Sequence, residues 1–158
     1  MKNIMVAAGF LFLSSVVGFA QDADEHHGQG YAFFAPSVTS PGTQGFMHTG
    51  GGGEALIKRV GIGGEVGYLA PWRDLRDGIG VGSANGSFNL RPGKVSPFVT
   101  GGYSLFFRSG TANGYNFGGG VHYWLSDKTG LRFEVRDNVL PEYKDLHFVG
   151  FRVGVTFR

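Results

Sequence analysis

An all-β fold, an eight-stranded antiparallel barrel, is what this sequence predicts, and three observations carry the reading. Gly is abundant, at 29 of 158 residues, beside 15 Phe, 6 Tyr and 2 Trp. Charged residues make up only 16% of the chain, well under the roughly 25% of ordinary soluble domains. The chain also divides into eight short segments, many of alternating side-chain character, joined by connectors that are alternately short and long. So many glycines would cost about 1 kcal/mol each inside helices, which sets a helical bundle aside. They follow no G-X-Y period, and the aromatic content is too high for a disordered linker. The length suits one domain. A net charge of +2 without a basic stripe gives no sign of a nucleic-acid partner. With no cysteine, the chain holds neither a disulfide nor a thiolate metal site, nor a lipid anchor on a terminal Cys.

The start of the chain reads as an address. Lys2 is a short positive head, Ile4 to Val17 an apolar run, and Gly18-Phe19-Ala20 a small-residue cleavage site before polar Gln21-Asp22-Ala23-Asp24-Glu25. That order is a secretory signal peptide. The domain plan is therefore a cleaved signal at 1–20, a polar periplasmic leader at 21–28 and a barrel at 29–158. The apolar run is shorter than the ~20 residues of a spanning helix, and no later segment approaches that length, so any membrane crossing must use strands.

In order, the predicted strands are 29–35, 45–57, 60–70, 78–90, 95–107, 114–125, 130–136 and 146–157. The first, Tyr31-Ala32-Phe33-Phe34-Ala35, is apolar on both sides and has no readable parity. The second ends at the tight turn Lys58-Arg59. The third sets Val60, Ile62, Val66 and Tyr68 against Gly61, Gly63, Glu65 and Gly67. In the fourth, Ile79 and Val81 share one parity while Ala84, Phe88 and Leu90 share the other, so a β-bulge near Ser83 is expected. Arg91-Pro92-Gly93-Lys94 turns the chain into the fifth, and Ser126-Asp127-Lys128-Thr129 separates the sixth from the seventh. The seventh opposes Leu131, Phe133 and Val135 to Arg132, Glu134 and Arg136. The eighth opposes His147, Val149, Phe151, Val153, Val155 and Phe157 to Phe148, Gly150, Arg152, Gly154 and Thr156. Longer links at 37–44, 71–77, 108–113 and 137–145 alternate with the tight turns.

An even strand count, short turns on one side and long loops on the other are the layout of a bacterial outer-membrane barrel. Parity agrees, because one face of each readable strand is apolar and the other small, polar or charged. A soluble lipocalin-like barrel would reverse the two faces. Eight strands leave an interior that side chains fill. Glu54, Glu65 and Glu134 can offset Arg132, Arg136 and Arg152 there, and buried charge demands such pairing. An internal ion-pair network and no continuous pore are expected.

At these residues the chain resembles the OmpA/OmpX-like and related outer-membrane β-barrel families. The resemblance lies in Ser96-Pro97-Phe98-Val99-Thr100-Gly101-Gly102, Phe117-Gly118-Gly119-Gly120-Val121, Leu131-Arg132-Phe133-Glu134-Val135-Arg136-Asp137 and Arg152-Val153-Gly154-Val155-Thr156-Phe157. It implies the outer membrane of a Gram-negative-type bacterium and an up-and-down transmembrane barrel, which we expect to be monomeric. Its expected partners are outer-membrane lipid, lipopolysaccharide and the assembly machinery. Gly154 and Phe157 match that machinery's C-terminal signal, although Arg158 follows without a second terminal aromatic.

Other candidate sites have simpler readings. His26-His27 with Asp22, Asp24 and Glu25 reads as a solvated tail rather than a metal site. His48, His122 and His147 are the histidines that could serve an enzyme in the barrel, and His122 shares a lumen-facing set with Asn116, Gly118, Gly120 and Trp124. His147 has Asp145 two residues before it, and Ser104 and Ser109 approach the same end, but no single strand supplies a Ser–His pair. Gly50-Gly51-Gly52-Gly53 lacks the Lys-Ser/Thr ending of a phosphate loop and suits a barrel bend. Tyr68, Trp72, Phe107, Tyr115 and Tyr143 suggest an outer aromatic girdle, and Phe88, Phe98, Tyr123, Trp124 and Phe157 an inner one. The expected role is structural or loop-presenting, with no catalytic residue, metal or cofactor. The alternatives are a small-solute channel, a lipid-A-modifying enzyme and a secreted lipocalin-like binder.

Overall fold

Eight strands follow one another with hardly a break: β1 (His26–Ser40), β2 (Gly45–Ile57), β3 (Val60–Pro71), β4 (Ile79–Asn89), β5 (Val95–Phe107), β6 (Thr111–Trp124), β7 (Thr129–Leu140) and β8 (Leu146–Phe157). This computed structural model describes residues 26–40, 42, 44–144 and 146–158, with only the backbone of 26 and 27. The expected signal peptide and the first residues of the expected leader lie outside them. Each strand pairs antiparallel with its neighbours in sequence, and β8 closes on β1.

The closure is staggered. From partner to partner round the ladder, Gly30 leads to Gly53, Gly64, Ala84, Tyr103, Tyr115, Val139 and His147, and then to Ser40. The path thus returns to β1 ten residues further on, which for eight strands tilts them by about 40° to the barrel axis.

Three expectations about the strands change. β1 starts at His26, inside the stretch assigned to the leader, and runs on to Ser40. Its parity, hidden in the sequence because both faces carry apolar residues, is plain in the fold. Tyr31, Phe33, Ala35, Ser37 and Thr39 are buried in the lumen, and Ala32, Phe34, Pro36 and Val38 are exposed. β6 likewise begins at Thr111 and β7 reaches Leu140, which leaves the 3-10 turn Pro141–Tyr143 to carry most of the last loop. Polar residues in these extensions face inward or pair across strands, so polarity did not mark a strand end.

β4 has no bulge. It pairs with β3 without interruption from Val60↔Phe88 to Leu69↔Ile79, and with β5 from Gly80↔Phe107 to Asn89↔Phe98. Ile79 and Val81 therefore point inward, against the sequence expectation of a polar lumen throughout. They belong to an apolar cluster at the loop end of the barrel, formed with Leu69, Phe106, Ala112, Leu140 and Phe148 and flanked by Phe46 and Leu146.

The run of glycines on β2 has a packing reason. A side chain at Gly50 or Gly52 would collide with the Val66 or Gly64 carbonyl and with the lumen-filling Phe33 or Tyr31. The β2–β3 turn is closed by the pair Ile57↔Val60, with Lys58 in the left-handed region at φ 57°. At the next long loop, the Tyr68 hydroxyl donates to the Leu75 carbonyl at 2.9 Å and accepts from the Gly78 amide at 3.1 Å.

Candidate functional site

The middle of the lumen holds one alternating chain of charge. Arg132 Nη1 lies 3.5 Å from Glu54 Oε1, and its Nε donates to Glu134 Oε2 at 3.0 Å. Arg136 bonds the other Glu134 oxygen through Nε and reaches Glu65 Oε2 at 3.3 Å through Nη1. Arg152 Nη1 then donates to both Glu65 oxygens, at 2.9 and 2.8 Å. The six residues singled out in the sequence for an internal ion-pair network are thus brought together in the order Glu54, Arg132, Glu134, Arg136, Glu65, Arg152. Arg136, Arg152 and Glu134 are almost fully excluded from solvent.

Neutral groups complete the chain. The Tyr31 hydroxyl donates to Glu65 Oε2 at 3.0 Å, and Gln29 and Ser87 both donate to Glu54. The Arg132 guanidinium is sandwiched between Tyr31 and Phe98, at 4.3 and 4.4 Å from the ring centroids, and Arg152 lies 4.1 Å over Phe33. Delocalised, weakly hydrated guanidinium suits such aromatic contact better than ammonium would. No reading of a single strand could have found these stacks, because Tyr31 and Phe98 come from β1 and β5, each two strands from β7 on either side of it.

Beside the charges, Asn116 Nδ2 donates to Asn85 Oδ1 at 2.9 Å and to Ser104 Oγ at 2.8 Å, and Ser104 shares a hydrogen bond with Ser83. Ser104 is fully buried in this network. Beyond it the apolar cluster lies beneath the loops. Toward the turn end, His122 stacks on Phe98 at 4.5 Å between centroids, and Arg158 covers Trp124 at 3.7 Å. Phe98 and Trp124 are therefore lumen residues, and the expected inner girdle loses both. Lumen-facing parity on β5 and β6 is the physical reason. Phe88, Tyr123 and Phe157 stay exposed on the outside, as do Tyr68, Trp72, Phe107, Tyr115 and Tyr143 near the loops.

The histidines separate. His48 is buried and accepts from Arg152 Nη2 at Nδ1, 3.4 Å away. His147 stands on the outer surface with Nδ1 2.7 Å from Asp137 Oδ2. Asp145, its neighbour in sequence, lies outside the described residues. Among the described residues no cluster of three or more potential metal ligands occurs. Gly154 pairs with Phe33 and Arg132, and Phe157 with Gly30 and Thr129, at the seam where β8 meets β1 and β7.

No protein-family profile matches the chain, and no curated protein matches it in sequence. Solved structures do resemble it. Neisserial surface protein A superposes with a TM-score of 0.66 at 14% identity, covering 87% of this chain and 99% of that one. The N-terminal β-barrel domain of Pseudomonas aeruginosa OprF gives 0.63 at 16% identity, over 86% and 100%. A de novo designed transmembrane β-barrel gives 0.51 at 15%, over 82% and 93%. At these identities the likeness is one of fold: a closed, eight-stranded, up-and-down barrel of transmembrane type.

Proposed function

We propose that this chain is an integral outer-membrane barrel that does not conduct, serving the envelope structurally and presenting its loops outside. The observation that carries the reading is the filling of the lumen. A paired charge chain occupies its middle and an apolar cluster closes the loop end. The outer face supports the membrane placement. Ile62, Val66, Val99, Val135, Phe151 and Val153 stand exposed along it, with aromatic residues toward both ends. In water such a face would be an unusually large apolar patch; in lipid it is the required surface.

On this reading the chain is exported by its signal peptide and inserted as a monomer by the outer-membrane assembly machinery, which reads the end that includes Gly154 and Phe157. Membrane lipid and lipopolysaccharide then surround it. The experiment pairs two measurements on the refolded mature chain. The unboiled protein should migrate differently from the boiled one on a detergent gel, and planar bilayers containing it should show no unit conductance. Regular channel openings would replace this reading with the small-solute channel. A chain soluble without detergent would replace it with a secreted binder.

A further inference from the structure

Barrel closure brings together three residues that are scattered in the sequence. His147 at the start of β8 is the cross-strand partner of Ser40, the last residue of β1. On its other side, Asp137 of β7 holds His147 Nδ1 at 2.7 Å. All three belong to the outward-facing parity of their strands, at the loop end. Ser40 is exposed, and the His147 and Asp137 side chains are 35% and 15% exposed. Directly opposed residues on one face of an antiparallel pair have Cβ atoms about 5 Å apart. That separation lets the Ser40 hydroxyl reach the imidazole by side-chain rotation.

The hydrogen bond sets the chemistry. A carboxylate only accepts, so Nδ1 carries a proton, and whenever the ring is neutral its free lone pair is on Nε2. Serine, an imidazole with an available nitrogen and a carboxylate that orients it form the arrangement of a nucleophilic hydrolase. From this geometry we infer that Ser40, His147 and Asp137 form an acyl-ester hydrolase site on the outer wall of the barrel. Its substrate class follows from the ground beneath it. Toward the barrel's middle the same outward face continues through Val38 and Val149, which are paired, and then Phe151. A fatty-acyl chain lying along these residues would bring its ester to Ser40. This inference goes beyond the envelope role and rests on the membrane reading for its substrate, though not for its nucleophile.

In the reaction, Ser40 Oγ attacks the ester carbonyl carbon while its proton passes to His147 Nε2. Collapse of the tetrahedral intermediate breaks the bond to the alcohol, which leaves with that proton. Water then attacks the acyl-Ser40 ester and gives a proton to His147. The fatty acid departs as Ser40 recovers its hydrogen. Ester and water become acid and alcohol, with no other reactant. Ser40 and His147 are the catalytic residues, and Asp137 is a positioning residue.

The test uses the full mature chain refolded in detergent and treated with a fluorophosphonate, followed by peptide mass mapping. Labelling is expected on Ser40, absent in Ser40→Ala and slowed about a hundredfold or more in His147→Ala. Asp137→Asn should slow it too, with part of the rate recovered by Asp137→Glu. Every variant should keep the heat-dependent gel shift, so a folding defect is separated from a chemical one. Absence of label on a chain that shows the shift would overturn the site, as would labelling indifferent to His147. A second arm measures fatty-acid release from phosphatidylethanolamine vesicles and from lipopolysaccharide. Ser40-dependent release from one of them names the source of the ester. Labelling with release from neither would overturn the lipid-ester assignment, while loss of the gel shift in the wild type would count against the barrel reading itself.

Discussion

Glu65 is the residue on which the charge chain turns, and Glu65→Gln is the perturbation that tests it. The carboxylate accepts from Arg152 at 2.8 and 2.9 Å, from Arg136 at 3.3 Å and from the Tyr31 hydroxyl at 3.0 Å. The amide keeps the shape, removes the charge and turns one acceptor into a donor facing other donors. Three lumen carboxylates then become two against three guanidiniums. At an effective dielectric near 20, each contact of this length is worth about 5–6 kcal/mol before desolvation. Net of desolvation, breaking a buried pair from one side costs about 3–5 kcal/mol. With a urea slope of about 2 kcal/mol/M, the unfolding midpoint in lipid vesicles should fall by about 2 M. Tryptophan fluorescence can follow it, since Trp124 lines the lumen and Trp72 the exterior. The exposed Glu142→Gln should stay within about 0.5 kcal/mol of the wild type. Adding Arg152→Met to Glu65→Gln should return at least about 1 kcal/mol, because it removes a charge left without its partner. A Glu65→Gln midpoint within about 0.3 M of the wild type would refute the claim that the chain of pairs holds the barrel together.

Other outcomes follow from the same geometry. Arg132→Ala leaves Glu54 and Glu134 underpaired and removes the stack between Tyr31 and Phe98, so it should lose about 3 kcal/mol or more in the same titration. Phe151→Arg puts a charge on the exposed apolar wall, and should cost about 2–4 kcal/mol in vesicles if that wall meets lipid; no change would argue that it faces water. Phe106→Ala thins the apolar cluster and should lower the stability by about 3–5 kcal/mol, yet bilayers should stay silent because the charged layer beneath is intact. Lipids brominated along the acyl chain should quench exposed Trp72 while sparing Trp124, which is only 7% exposed.

What could be read from the sequence was whatever repeats with period two. Alternation on β3, β7 and β8 identified the lumen face and with it five of the six charged residues, all but Glu54 of β2, because a strand's neighbours must point opposite ways. Turn chemistry located the strand ends at Lys58-Arg59 and at Ser126 to Thr129. Where both faces were apolar, as on β1, or where inward residues changed from polar to apolar, as on β4, the same rule gave nothing or suggested a bulge that is not there. The cause is that the lumen is not one environment. Its charged middle and its apolar loop end ask for different residues on the same face of one strand, and a single strand cannot show where that boundary falls.

The chain by itself thus determined the class of fold, the number of strands and the charged residues of the interior, because these depend on local spacing and on the cost of burying unpaired charge. Only the tertiary structure decided the order of the ion-pair chain, the aromatic faces against Arg132 and Arg152, and the apolar cluster under the loops. It alone set Ser40 beside His147 and Asp137. These depend on the register at closure, a ten-residue stagger distributed over eight pairings. A shift of one residue at any of them would turn a strand's lumen face to the outside. The register is therefore held by the sum of all eight pairings and the packing they enclose, which is why it cannot be read from any one strand.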